Sequence, residues 1–452
     1  MIISLASLRF PRKMGDCCNL DGEYSAVIRL HMRCIGGDGF WTVSELSLES
    51  RCHVQAISQN LNESYFEPKI ESALWRTRVL DKAITVQGPV LPEELGITLP
   101  HEHVLMNVDS VEPLEASKQI IYHQPITIEN LCERGWAVNK RGDAGIKDLS
   151  MTDPDEAKQE LMKYKAVGGK SLVEVTCMPE MGRDPESLRE ISVLTGLNIL
   201  CGTGWYTEQR HLAYVKKKTA DELAEIMVKE LKVGIGSTGI RAGVIGEIGF
   251  SEPVAPNETK VLHAVCKAQV ETGAPVCVHP GLLDAQKHEG ARKVETYLDV
   301  LQETVDLSKV YVSHMDCTSV KLAYGIVMGI DLDYCRKILD GYEVTACFDT
   351  FGSNCDNRYG SESSGDFPGW AWPTDSWRIS VIAELVKSGY ERQLFISQDI
   401  CAKTHWTKYG GYGYAYNLRF TVPALRYAGL TEKQVNAILV DNPKRMLTWP
   451  ID

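Results

Sequence analysis

The chain has 452 residues, of which 44% are hydrophobic and 24% charged, the composition of a globular protein with one large domain plus an appendage, or several ordinary ones. A formal net charge of −12 argues against nucleic acid or an anionic membrane as the main partner. No apolar stretch approaches the ~18 residues needed to span a bilayer.

The N-terminal run Met1–Leu8 is apolar but has no positive residue ahead of it, so it makes a poor secretory signal. Arg9, Arg12 and Lys13, with no acidic residue before Asp16, keep a mitochondrial transit reading open beside the preferred cytoplasmic one. The 14 cysteines are scattered without a Cys-x-x-Cys, which reads as free thiols in a reducing compartment. Residues 1–80 hold short apolar pieces broken by Gly36-Gly37, with no sustained period. They read as an extension of uncertain order ahead of a domain spanning 81–452.

From about residue 84, short runs rich in β-branched residues alternate with helical patterns. The predicted strands are Ile97–Val104, Ser171–Thr176, Asn198–Gly202, Ala242–Ile248, Pro275–Val278, Val310–Ser313, Tyr342–Phe348 and Gln393–Ser397. Helices are predicted over Asp153–Val167, which opens on an Asp cap followed by Pro154, and over Thr219–Lys232, which opens on a Thr-x-x-Glu capping box. Others are predicted over Asn257–Thr272, Ser376–Lys387 and Thr431–Leu439. Near-continuous apolar strands alternating with helices suit a parallel sheet buried on both faces. An open doubly wound sheet would carry a Gly-rich phosphate turn after its first strand. None occurs, so the fold class is α/β, a (β/α)8 TIM barrel.

His101-Glu102-His103 closes the first strand. Residues at i and i+2 share a face, so the two imidazoles point together while Glu102 points away and is left out of the reactive set. Further ligand types recur at other strand ends: Glu247 on the fourth, His279 on the fifth, His314 on the sixth and Asp399 on the eighth. The carboxyl ends of barrel strands form the catalytic face. Burying six such groups without compensation is costly, and a pair of divalent cations turns them into ligands. Imidazole with carboxylate selects Zn²⁺ first, with Mn²⁺, Co²⁺ or Fe²⁺ as substitutes. A bridging group must be anionic, which suits Glu247, and Asp399 can both ligate and carry a proton.

Taken in order, Gly96-Ile97-Thr98-Leu99-Pro100-His101-Glu102-His103, Gly246-Glu247, His279-Pro280-Gly281, Ser313-His314 and Gln398-Asp399 resemble the phosphotriesterase family of the amidohydrolase superfamily. The likeness covers roughly residues 81–452. It implies that His101 and His103 bind a more buried ion, His279 and His314 an exposed one, that Glu247 bridges, and that Asp399 is ligand and proton shuttle. It also implies a hydroxide held between the metals that attacks the scissile carbon. Glu247 stands where bacterial phosphotriesterases carry a carboxylated lysine. The blocks Lys408-Tyr409-Gly410-Gly411-Tyr412-Gly413-Tyr414 and Asp441-Asn442-Pro443 are similar to the branch found in animals, which implies an amidase acting on N-acyl amino sulfonates such as N-acetyltaurine. A lactonase or phosphoesterase on the same metal pair is the alternative, and a catalytically silent binding module is the alternative of another class.

Tyr206, in Gly204-Trp205-Tyr206, is a candidate to line the substrate pocket, as in lactonase relatives. An anionic substrate needs a cation or donor near the rim, for which Arg210, His211, Lys403 and Lys408 are the candidates. Phe351–Trp377, rich in aromatics, is a candidate lid. The expected partners are a small-molecule substrate and, by analogy with related proteins, a second copy in a homodimer.

Overall fold

A computed structural model describes residues 81–107, 127, 149–251, 253–281, 294–323, 326–353 and 373–451, together with strands Ile2–Leu5, Val27–Cys34 and Trp41–Glu49. The chain divides into two compact units, Met1–Arg78 and Val79–Asp452. In the first, the three strands form an antiparallel sheet. The centre of the candidate lid, 354–372, lies outside the described residues.

The second unit carries an eight-stranded parallel sheet: β1 (Thr98–Glu102), β2 (Ser171–Glu174), β3 (Asn198–Thr203), β4 (Val244–Gly249), β5 (Val276–His279), β6 (Val310–Val312), β7 (Thr345–Phe348) and β8 (Leu394–Ile396). Each strand pairs with its sequence neighbours. The sheet is nearly closed into a barrel, with His103 N–H donating across the β8–β1 seam to the Ile400 carbonyl at 3.2 Å. Between strands run α1 (Pro154–Ala166), α2 (Pro185–Thr195), α3 (Ala220–Lys232), α4 (Pro256–Thr272), α5 (Val294–Gln302), α6 (Leu332–Gly341) and α7 (Asp375–Lys387). Shorter helical segments follow β8. Among the described residues, no helix is long and apolar enough to cross a membrane.

The two-residue strand period sorts the core into two layers. Val173, Leu200, Val244, Cys277, Tyr311, Cys347 and Phe395 fill the barrel interior. Their neighbours Leu172, Ile199, Ile245, Val278, Val312, Phe348 and Ile396 pack against the helices. Tyr311 meets Phe395 edge-on at 5.4 Å and donates its hydroxyl hydrogen to the Pro100 carbonyl at 3.1 Å. A polar floor contact thus anchors β6 to β1 immediately below His101.

Caps set the helix starts where the residues foretold. The Asp153 carboxylate accepts from the N–H groups of Asp155 and Glu156, and Thr219 with Glu222 forms a reciprocal box. Most strand boundaries shift by one or two residues, and the largest strand shift is at β7, which begins at Thr345, not Tyr342. The Tyr342 N–H instead closes α6 by donating to the Ile338 carbonyl at 3.0 Å. An apolar residue beside a strand reads as strand until its amide is claimed by the preceding helix.

Candidate metal centre

All six predicted ligand residues lie at the carboxyl rim. His101 is in β1 and His103 just past it, Glu247 is inside β4, and His279 ends β5. His314 follows β6 by two residues and Asp399 follows β8 by three. Two overlapping groups form, His101–His103–Asp399 and His101–Glu247–His314, with ligand atoms in each within 4.8 Å of one another. His101 belongs to both. His279 joins through His314, their rings 4.5 Å apart and nearly perpendicular.

The separations have a definite chemical meaning. His101 Nε2 is 3.6 Å from Glu247 Oε2 and 3.6 Å from Asp399 Oδ1. His103 Nε2 is 3.6 Å from Glu247 Oε1 and 3.4 Å from Asp399 Oδ1. These are too long for good hydrogen bonds. Two donors on one tetrahedral ion, each at about 2.0–2.2 Å, stand roughly 3.4 Å apart. His101 Nε2 is buried with no hydrogen-bond partner, a costly state that an ion would relieve. The residues present therefore fit a divalent metal.

The far nitrogens of the same rings are held. His101 Nδ1 meets Ser313 Oγ at 2.8 Å, His103 Nδ1 meets Thr176 Oγ1 at 2.8 Å, and His314 Nδ1 meets Asp349 Oδ1 at 2.7 Å. Ring orientation in metal sites is set in this way, by partners on the nitrogen that faces away from the ion. Asp349 also accepts from the His314 N–H at 2.9 and 3.1 Å, so one carboxylate fixes both ring and backbone. Behind it, Arg378 of α7, fully buried, donates to Asp316 Oδ2 at 2.6 Å, Asp375 Oδ1 at 2.7 Å, Ser353 Oγ at 3.3 Å and Thr350 Oγ1.

Two non-glycine residues among those described have positive φ, His314 at 53° and Asp399 at 51°. Such conformations cost about 1–3 kcal/mol each and persist where the surroundings over-determine them. Both belong to the predicted ligand set.

Charge compensation follows the same map. Burial pushes the Asp399 carboxyl upward, yet the adjoining His101 and His103 rings hold it well below the usual range. Burial depresses His101, and the Asp349 and Asp399 carboxylates more than reverse this. His314 is likewise raised, burial being outweighed by Asp349. Burial raises Glu247, and the facing histidines oppose the rise. Rings and carboxylates thus favour each other's charged forms, a balance that a bound cation would take over from the ring protons.

Glu102 faces away from the rings, as its place in the strand predicts. Its carboxylate accepts instead from Ser397 Oγ and from the Gln398 and Ile400 N–H groups of the β8 end. Burial pushes it up to about 7, those hydrogen bonds opposing the rise.

Tyr206 does reach the centre, its Oη 3.0 Å from His279 Nε2. Arg210 ends the half-buried turn Glu208–Arg210 beyond β3. His211 Nε2 bonds the Tyr206 carbonyl at 2.6 Å, so its role is to anchor that loop. Lys403 stands over the Tyr409 ring at 5.7 Å, on a turn beyond β8. Lys408 pairs with Glu156 of α1 at 2.5 Å.

Sequence reasoning did not single out Asp349, Ser313, Thr176 or Arg378. Asp349 had a signal: it directly follows Phe348 at a strand end, the criterion that found Asp399. We expect Asp349→Asn to weaken metal affinity about 10–100-fold with the fold retained. A metal titration against a competing chelator measures it, and unchanged affinity would show that Asp349 does not orient His314.

Residues 81–447 match the Phosphotriesterase family. The N-acetyltaurine hydrolase of Xenopus tropicalis is 35% identical over 375 residues, covering 81% of this chain and 98% of the relative. The human N-acetyltaurine hydrolase is 33% identical over 374 residues, with the same coverage. Among solved structures, a resiniferatoxin-binding protein from Rhodobacter sphaeroides superposes with a TM-score of 0.69 at 30% identity, covering 81% of this chain and 94% of that one. A phosphotriesterase homology protein from Escherichia coli, complexed with phosphate in its active site, superposes with a TM-score of 0.59 at 26% identity, covering 78% and 99%. A mutant of a phosphotriesterase-like lactonase from Deinococcus radiodurans gives 0.58 at 27% identity, covering 81% and 99%. With the barrel, the rim cluster and this match over most of its length, the chain belongs to the phosphotriesterase family.

Proposed function

We propose that this metal-dependent hydrolase is an amidase that cleaves N-acetyltaurine, or a similar small N-acyl amino acid or sulfonate, to the carboxylic acid and free amine. The observation that carries the reading is the 35% identity to a named N-acetyltaurine hydrolase over nearly that relative's whole length. His101, His103, Glu247, His279, His314 and Asp399 would hold two divalent ions, with Zn²⁺ suited to the mixed imidazole and carboxylate set. When bound, such ions supply Lewis acidity and lower the pKa of water towards neutrality.

The chain's own residues divide the remaining work. Glu247 lies 3.6 Å from each first-strand histidine and also groups with His314 of the other side of the site, which suits it to join two cations. Asp399, buried and held ionised, is the group able to accept a proton on the oxygen turned away from the His101 and His103 rings and return it to the departing amine. Tyr206 closes over His279 and forms one wall beside the reacting centre. Arg210 and Lys403 remain the candidates to meet an anionic sulfonate. The reading also puts the protein in the cytoplasm, in keeping with the eight buried free thiols among the described residues, and makes it a homodimer.

The likeness to a solved lactonase favours a second reading, lactone or phosphoester hydrolysis on the same site. Incubating metal-loaded protein with N-acetyltaurine and with a panel of lactones and phosphotriesters separates them. Acetate and taurine in equal amounts are expected. Turnover of the lactones alone would overturn the amidase reading, and no turnover of any substrate by fully loaded protein would favour a binding module.

A further inference from the structure

Asp399 sits in an unfavourable backbone conformation, and the residues on either side of it explain how that conformation is kept. The N–H of Gln398 donates to Glu102 Oε1 at 2.8 Å, and the N–H of Ile400 donates to Glu102 Oε2 at 2.9 Å. Ser397 adds its hydroxyl to Oε1 at 2.7 Å. One buried carboxylate therefore grips the amides flanking Asp399, whose φ of 51° lies in the left-handed region. Hydrogen bonds from backbone N–H groups to a carboxylate are among the stronger ones, and here they converge from both sides of a single residue. The clamp is reinforced from β1: the His103 N–H donates to the Ile400 carbonyl at 3.2 Å, and the His101 N–H to Ser397 Oγ at 3.2 Å.

We propose that Glu102 is the positioning residue for Asp399: it holds the turn after β8 so that the Asp399 carboxylate faces His101 and His103. The segment His101-Glu102-His103 then has a double task. Its odd members face the candidate metal site, and its even member, on the opposite face, aims a candidate ligand that comes from the other end of the barrel sequence. Released from Glu102, the turn would relax out of the left-handed region and carry the Asp399 oxygen away from its 3.4–3.6 Å station beside the imidazoles. The proposal rests on reading Asp399 as a metal ligand.

The test is a double-mutant cycle on the full chain, using Glu102→Gln, Asp399→Asn and the pair. In Glu102→Gln the side-chain carbonyl can still accept from Ser397 and Gln398, but its amide would face the Ile400 N–H donor to donor. Zn²⁺ affinity is read by chelator competition and kcat by acetate release. Glu102→Gln is expected to lower both by about 10–100-fold with KM little changed. In the Asp399→Asn background the same change should have almost no further effect. If Glu102→Gln leaves Zn²⁺ affinity unaltered, or multiplies its full factor onto Asp399→Asn, the proposal is wrong. Should Glu102→Gln fail to fold, Glu102→Asp keeps the charge while shortening its reach to the Gln398 and Ile400 N–H groups. Its smaller loss should vanish in the Asp399→Asn background, and a loss that persists there sinks the idea. If Asp399→Asn itself leaves Zn²⁺ affinity unchanged, the ligand reading fails and the proposal falls with it. Intact coupling in Zn²⁺ affinity without amide turnover would remove the amidase reading alone.

Discussion

Replacing His101 by alanine is expected to empty the metal centre as a whole. His101 is common to both candidate groups, and its Nε2 lies 3.6 Å from Glu247 and from Asp399, the carboxylates on either side of it. Its loss therefore leaves each group one donor short and two carboxylates facing a cavity. Metal content measured on purified protein should fall from about two ions per chain to well below one. Turnover should fall by at least about 10³-fold, the scale of loss when a member of a cooperating set is removed. His279→Ala is the comparison, because His279 lies outside both groups and touches them through His314. That variant should keep about one ion, since only one side of the centre is disturbed. A His101→Ala protein that retained two ions would refute the assignment of His101 as a metal ligand.

The second large effect concerns stability. Arg378→Met should destabilise the barrel by about 3–5 kcal/mol, because removing one partner strands the buried charges of the others. Arg378 and Asp316 are both fully buried, and Asp375 is nearly so. The guanidinium ties the turn after β6, which bears Asp316, to Thr350 and Ser353 after β7, and both to α7. Chemical denaturation monitored by circular dichroism on metal-free protein gives the loss directly. Adding Asp316→Asn to Arg378→Met should recover part of it, by neutralising one stranded carboxylate. A denaturation midpoint equal to that of the parent would mean the network carries no net stability.

Much of this was legible in the sequence because it follows from short-range geometry. The strand period is two residues, so His101 and His103 must share a face and Glu102 must oppose them, whatever the rest of the chain does. The same period explains why apolar runs such as Val276-Cys277-Val278 and Val310-Tyr311-Val312 serve two cores at once. Ligands at the ends of such runs collect at one rim because every strand in a parallel barrel points the same way. Helix starts at Asp153 and Thr219 were readable for the same reason, since a cap reaches only two or three residues.

What escaped depended on partners far away in the chain. Lys408 was a candidate for a substrate anion until the fold delivered Glu156 to its ammonium, 252 residues distant. Arg378 reads as one more cation on a helix, and its burial against Asp316 follows only from docking α7 on the ends of β6 and β7. Ser313 and Thr176 are ordinary hydroxyl residues until a histidine ring on a neighbouring strand needs orienting.

By itself, then, the sequence determined which residue types stand as candidate ligands, their places at strand ends and the face each one presents, because strand periodicity and parallel connection act locally. Only the tertiary structure decided how those ligands are held. Glu102 meets Ser397, Gln398 and Ile400 across 295 to 298 residues, at the seam formed where the eighth strand returns to the first. No local pattern encodes that meeting: the carboxylate and the amides it grips become neighbours only when the barrel closes.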